Sequence, residues 1–220
     1  MLLFAAIVLN LFAMLPHSDI TLADADTHTM EKCVYLTFDD GPSDRVTPKI
    51  LDTLKRRGIK ATFFIIGQSA ETRKYIVERM HEEGHTIGVH SYSHDYKKIY
   101  ADPCTLICDI EKCNDLIEEI TGERSTIYRF PGGSYGLRDE LIRAVAQAGY
   151  RYVDWNASLR DAEIINPTPS QLLEAAKSSS ADRNNIVLLC HDSTTKSSTA
   201  IALEDIISYY QLNGYAFCTF

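Results

Sequence analysis

Short apolar runs suited to β-strands alternate with helical patterns from residue 31 to residue 220, and no other feature of the chain narrows its fold so far. Residues 33–38, 59–66, 86–89, 126–130, 150–155, 186–190 and 215–220 are rich in the β-branched and aromatic side chains that favour a pleated backbone. The helical stretches between them stop at Gly58, Gly84, Gly122, Gly149 and Gly214, residues free to take the left-handed conformation that closes a helix. Thr47-Pro48, Asp102-Pro103 and Thr168-Pro169 read as helix starts, a capping side chain followed by proline at the first helical position. About seven strands separated by helices predict a parallel sheet covered by helices, hence an α/β fold. Its closure is either a barrel or an open doubly wound sheet, and no G-x-G-x-x-G follows the first strand to support dinucleotide binding.

The chain of 220 residues suits one domain, and its net charge of −8 argues against a nucleic-acid partner, which needs basic patches to replace phosphate counterions. Residues 1–15 are apolar apart from Asn10, too short for a comfortable membrane span but suited to a signal-peptide core. Ala23-Asp24-Ala25 supplies a small-x-small cleavage pattern, whereas a basic n-region is missing. Residues 1–30 are therefore expected to be a signal peptide or N-terminal anchor plus a short linker, which allows membrane association through that segment. The six cysteines, Cys33, Cys104, Cys108, Cys113, Cys190 and Cys218, form no C-x-x-C pair, so a zinc ribbon or thioredoxin-type site is disfavoured. They read as buried small hydrophobes, with a disulfide open to an exported chain and its connectivity unreadable from sequence.

The unusual polar residues cluster at C-terminal strand ends. Asp39-Asp40 follow the first strand, His90 to His94 the third, Arg129 ends the fourth, Asp161 lies beyond the fifth and His191 caps the sixth. That is the face on which parallel α/β enzymes assemble their sites, which favours the barrel. His90-Ser-Tyr-Ser-His94 is an H-x₃-H pair, weak alone but able to form a metal triad with a carboxylate. Adjacent aspartates at a strand end repel, so burying them together calls for a cation or a shared proton. A plain Asp-Asp-Gly-Pro turn is the commoner reading of that string. His81-Glu82-Glu83-Gly84-His85 fits the H-E-x-x-H protease pattern, but Gly84 ends the helix, so the two rings should diverge.

With these residues in hand, the chain resembles the polysaccharide deacetylase family, carbohydrate esterase family four. The resemblance runs from Cys33 to Phe220 and rests on ordered motifs: Thr37-Phe38-Asp39-Asp40-Gly41-Pro42-Ser43, Ala61-Thr62-Phe63-Phe64, His90-Ser91-Tyr92-Ser93-His94, Arg129-Phe130-Pro131-Gly132-Gly133-Ser134 and Leu189-Cys190-His191-Asp192. The resemblance implies a distorted, incomplete (β/α) barrel for residues 31–220. For the fourth motif there are two candidates, Asp154 beside Trp155 and Asp161, and the family spacing favours Asp161. Gly132 stands where the family often has an aromatic residue, and Ala162 where it often has tryptophan. Both changes are expected to remove bulk from the groove rim.

What the resemblance implies chemically is a metal-dependent hydrolase acting on N-acetyl groups. Asp40, His90 and His94 would hold a divalent metal, zinc first, with cobalt, nickel and manganese as alternatives. Asp39 would be the general base and His191 the general acid, with Gly132 N–H as oxyanion donor and Leu189 lining the acetyl pocket. Arg129 would pair with Asp39, and Asp161 with Arg129 or His191; an ion pair without catalytic role is the bland alternative for these two. The expected partner is an acetylated glycan polymer, with peptidoglycan N-acetylglucosamine ahead of N-acetylmuramic acid, chitin oligomers and acetylxylan. A monomer, exported to the cell exterior or wall, completes the reading. Its rivals are a glycan-binding module on the same fold and an amidase of small cyclic ureides.

Overall fold

The computed structural model describes residues 32–220, so the expected leader lies outside the described residues. Its elements, in chain order, are β1 (Cys33–Gly41), α1 (Thr47–Arg57), β2 (Thr62–Ile66), α2 (Gly67–Glu71), α3 (Lys74–Glu82) and β3 (Thr86–Ser91). There follow α4 (Tyr96–Ile99), α5 (Pro103–Thr121), β4 (Ile127–Tyr128), α6 (Asp139–Gln147), β5 (Arg151–Tyr152) and β6 (Ala157–Ser158). The chain closes with α7 (Pro169–Ser180), β7 (Asn185–His191), α8 (Ser197–Leu212) and β8 (Ala216–Cys218).

The strands pair in the order β5-β4-β3-β2-β1-β7-β6, all parallel, giving a half-barrel of seven strands flanked by helices. This is the incomplete barrel that the motif resemblance implies. β8 joins beside Cys33, Val34 and Tyr35, below the point at which β2 takes over at Thr37. The 150–155 run is broken into β5 and a loop, and β6 is a short strand that its own two residues do not announce. A parallel sheet needs cover on both faces, and β1 shows it: Val34, Leu36 and Phe38 are wholly buried, as is Thr37 on the opposite face. On the outer side Ile50, Leu51 and Leu54 of α1 complete the packing.

Helix starts at Asp102 and Thr168 are capped by their side chains, Thr168 through a capping box with Gln171. Thr47 is not a cap: it lies inside α1, and its hydroxyl donates to Asp192 Oδ2 at 2.6 Å while accepting from Ser43 N–H at 2.8 Å. The cysteines divide. Cys33 and Cys218 form a disulfide joining β1 to β8, and Cys113 and Cys190 are buried. Cys104 and Cys108 are exposed on α5, contrary to the expectation of burial, because they face away from the sheet.

Candidate active site

Two interruptions of the ladder build the site. In the β1–β2 pairing, Asp39 faces Phe64 and Gly41 faces Ile65, so Asp40 is left over. In the β2–β3 pairing, Val89 faces Ile65 and Ser91 faces Ile66, so His90 is left over. Neighbouring residues of a regular strand point to opposite faces; an extra residue breaks that alternation and re-aims a side chain. Asp40 takes φ 72°, a left-handed conformation that aspartate tolerates better than most side chains. Its carboxylate thereby shares one end of the half-barrel with Asp39. His94, at φ 55°, turns its ring back toward the same point.

Asp40 Oδ1 lies 3.4 Å from His90 Nε2 and 3.2 Å from His94 Nε2, and the three potential ligand atoms lie within 4.8 Å of one another. Burial would raise the Asp40 carboxyl, but hydrogen bonds from His90 and His94 outweigh it and hold it well below the usual carboxylate range. His90 Nδ1 sits 2.9 Å from the Arg129 carbonyl and donates N–H there, which leaves Nε2 as the ring atom that faces Asp40 and would ligate a cation. One carboxylate and two imidazoles converging on one point are a donor set fitted to a divalent transition metal.

Asp39 stands next to this cluster, its Oδ2 4.0 Å from His90 Nε2. Arg129, wholly buried, donates from one guanidinium nitrogen to Asp39 Oδ1 at 2.9 Å and to Thr37 Oγ1 at 2.7 Å. Its Nε donates to the Val153 carbonyl at 2.8 Å, and the guanidinium lies over the Phe64 ring at 4.3 Å. A buried cation is tolerable only with its donors satisfied, and Arg129 meets that condition while orienting Asp39.

Across the groove, His191 Nδ1 donates to Asp161 Oδ1 at 2.7 Å. Asp161 also accepts from His191 N–H at 2.9 Å and from Thr199 Oγ1 at 2.7 Å. Burial works to lower the His191 imidazole, yet the hydrogen bond and charge of Asp161, with the charges of Asp39 and Asp40, raise it above its ordinary value. Of the two fourth-motif candidates it is Asp161 that meets the histidine, and it does not pair with Arg129. Asp154 instead holds the loop after β4, accepting from Ser134 N–H at 3.0 Å and from the Ser134 hydroxyl. In that loop Gly132 adopts φ 79°, is exposed, and its N–H has no acceptor among the described residues. Leu189 is buried, opposite Thr37 in the β1–β7 register.

Three further residues shape the site: Asp109 and Tyr96, which lie in none of the motifs, and Asp192, which ends the last motif without a role assigned to it there. Asp109 of α5 is buried and accepts from Ser91 Oγ at 2.5 Å, Tyr92 N–H at 2.7 Å and Ser93 N–H at 3.1 Å. Ser91 Oγ in turn accepts from His94 N–H at 2.8 Å, so one carboxylate sets the whole His90-to-His94 loop. Asp192, fully buried, packs on Gly41: a β-carbon there would lie 2.2 Å from its Oδ2, so only glycine fits. Burial pushes the Asp192 carboxyl up to about 7. Tyr96 fills the space in front of Gly132, where a β-carbon would come 3.2 Å from its Cε1. The groove rim therefore keeps an aromatic side chain beside Gly132, drawn from α4 and not from the third motif.

A parallel half-barrel that gathers an Asp-His-His cluster, a second aspartate and an Asp–His pair at its strand ends has the makings of a hydrolase. Residues 26–153 match the family described as polysaccharide deacetylase. The chain belongs to that family, and its relatives include deacetylases, hydrolases acting on amides. It is 35% identical to the putative polysaccharide deacetylase YheN of Bacillus subtilis over 192 residues, 85% of this chain and 66% of that one. It is 32% identical to the peptidoglycan-N-acetylmuramic acid deacetylase PdaA of the same organism, covering 86% of this chain and 70% of PdaA. In structure it resembles the catalytic domain of peptidoglycan N-acetylglucosamine deacetylase from Eubacterium rectale, with a TM-score of 0.80 at 35% identity, covering 90% of this chain and 93% of that one.

Proposed function

We propose that this protein removes acetyl groups from the amino sugars of peptidoglycan, N-acetylglucosamine first, in a metal-dependent hydrolysis that releases acetate. The observation that carries the reading is the convergence of Asp40, His90 and His94 with Asp39 on one side and the Asp161–His191 pair on the other. Asp40, His90 and His94 would hold a divalent cation, zinc first among the metals that such a donor set accepts. A divalent cation there would polarise the acetamide carbonyl and lower the pKa of the attacking water.

The protein's own groups supply the rest. Asp39, oriented by Arg129, takes the proton from the attacking water. The Gly132 N–H donates to the acetamide oxygen as it gains negative charge. His191, whose protonated form Asp161 favours, gives its Nε2 proton to the sugar nitrogen as the carbon–nitrogen bond breaks. Leu189, paired with Thr37 and two residues before His191 on β7, is assigned to line the acetyl methyl's pocket. The relatives named for peptidoglycan deacetylation support the polymer; the Eubacterium rectale structure is named for N-acetylglucosamine and PdaA for N-acetylmuramic acid.

Export is part of the proposal. The apolar stretch of residues 1–15 and the Cys33–Cys218 disulfide both suit a chain that works outside the reducing cytosol. The test is acetate release from peptidoglycan and from chitin oligomers by the chain from residue 31, chelated and then given zinc. Zinc-restored release from peptidoglycan is expected. Stoichiometric zinc binding with no acetate from either polymer would overturn the reading in favour of glycan binding alone.

A further inference from the structure

Tyr96 stands between the metal-ligand candidate His94 and the oxyanion donor Gly132. It opens α4, a turn whose start is set by Asp95, whose side chain accepts from Lys97 N–H and Lys98 N–H. Its ring stands edge-on to His94, with centroids 5.3 Å apart, and edge-on to Tyr100 at 5.9 Å. Tyr100 is pinned in turn, its hydroxyl donating to the Pro131 carbonyl at 2.7 Å. Gly132 lies against the other side of the Tyr96 ring, and a β-carbon at 132 would come 3.4 Å from the phenol oxygen. The ring is thus held by protein on two sides, yet 46% of the residue remains exposed.

The hydroxyl of Tyr96 has no hydrogen-bond partner among the described residues, whereas those of Tyr92, Tyr100, Tyr150 and Tyr210 are all bonded to protein. A tyrosine offers an apolar face and a polar tip, and a sugar offers the converse, a face of C–H groups rimmed by hydroxyls. A rigid phenol beside the acyl site is therefore suited to read the sugar and not the acetyl group. Resting on the deacetylase reading above, we propose that Tyr96 is the specificity-determining wall of the groove: its ring carries the apolar face of the N-acetylated sugar, and its hydroxyl donates to a sugar oxygen.

The experiment compares wild type, Tyr96→Phe and Tyr96→Ala on an N-acetylglucosamine oligomer and on p-nitrophenyl acetate, which has an acetyl group and no sugar, with zinc affinity measured for each. Loss of one neutral hydrogen bond should lower kcat/KM on the oligomer about 5-fold in Tyr96→Phe. Loss of the ring as well should lower it about 50-fold in Tyr96→Ala, chiefly through KM. Turnover of p-nitrophenyl acetate and zinc affinity should stay within about twofold of wild type. Equal losses on both substrates, or a weakened zinc site, would make Tyr96 a mere support for His94 and sink the proposal, as would wild-type turnover of the oligomer by both variants. Tyr96→Phe keeps the packing, so the hydroxyl is tested even where Tyr96→Ala unfolds. A wild-type protein active on p-nitrophenyl acetate but releasing acetate from neither the oligomer nor peptidoglycan would instead bring down the deacetylase reading, and this proposal with it.

Discussion

Strand β3 has a histidine pair of the same spacing at each end, His81 with His85 before it and His90, next to its last residue, with His94 beyond it. The first pair also carries the glutamate of a zinc-protease pattern, so by motif alone it is the richer of the two. In space it comes apart. His81 is exposed on the last turn of α3, and Gly84 at φ 74° turns the chain away. His85 goes inward, edge-on to Phe63, and its Nδ1 accepts from Ala61 N–H at 3.1 Å. Burial, with the nearby charge of Lys60, pushes that imidazole down to about 4, so it stays neutral in the core. The second pair meets because His90 is the extra residue of a ladder and His94 sits in a left-handed turn, both facing Asp40. Spacing proposes a metal site; backbone direction at each residue decides it.

The sharpest way to break this contrast is to remove one member from each end. His94→Ala should abolish stoichiometric zinc binding and lower acetate release on the order of 1000-fold or more. His81→Ala should change neither. Asp39→Asn should keep zinc, by titration, and lose turnover on the order of 100-fold or more. Near-normal turnover in Asp39→Asn would remove Asp39 from the role of base.

A smaller effect is expected where one charge tunes another. His191 must be protonated to give up its proton, so turnover is present below its pKa and lost as pH rises through it. Asp161 holds that pKa above the ordinary value against the opposing effect of burial. Asp161→Asn should therefore shift the alkaline limb of the kcat profile to lower pH, and turnover should fall about 10- to 100-fold at neutral pH. An unmoved limb would mean that another group limits the rate on that side. The same substitution at Asp154 should leave the limb where it is, since that carboxylate serves Ser134.

The smallest expected effects separate support from ligation. Asp109→Ala should weaken zinc binding about 10-fold by freeing the His90-to-His94 loop. His85→Leu should leave zinc binding unchanged and lower stability by about 1–3 kcal/mol, the cost of stranding the Ala61 N–H. Thermal melts read against zinc titrations check both. A zinc defect in His85→Leu would erase the distinction between the two ends of β3.

Much of the candidate site is legible because its chemistry depends on residue type in chain order. Asp39, Asp40, His90, His94, Arg129 and His191 stand out as polar residues at strand ends, and strand ends are visible in the apolar periodicity. Asp109 is not legible. It lies in a helix that also carries Glu111, Asp115, Glu118 and Glu119, and only its burial beneath the histidine loop sets it apart. Tyr96 is hidden for a similar reason, since its packing on Gly132 joins segments that no local pattern connects. The Cys33–Cys218 pairing depends on β8 returning to the first strand, a contact across 185 positions of sequence.

The sequence by itself determined the alternation of strands and helices, the parallel class that follows from it, and the kinds of side chain offered at one end of the sheet. These are local properties, set by periodicity, caps and the order of residues. Only the tertiary structure decided which of those side chains meet. Asp40 and His90 converge because the ladders skip one residue at each, Asp161 rather than Asp154 reaches His191, and an aromatic from α4 stands at the rim where the third motif has glycine. Each depends on register between distant segments, a property that packing of the whole sheet sets and that no stretch of sequence carries alone.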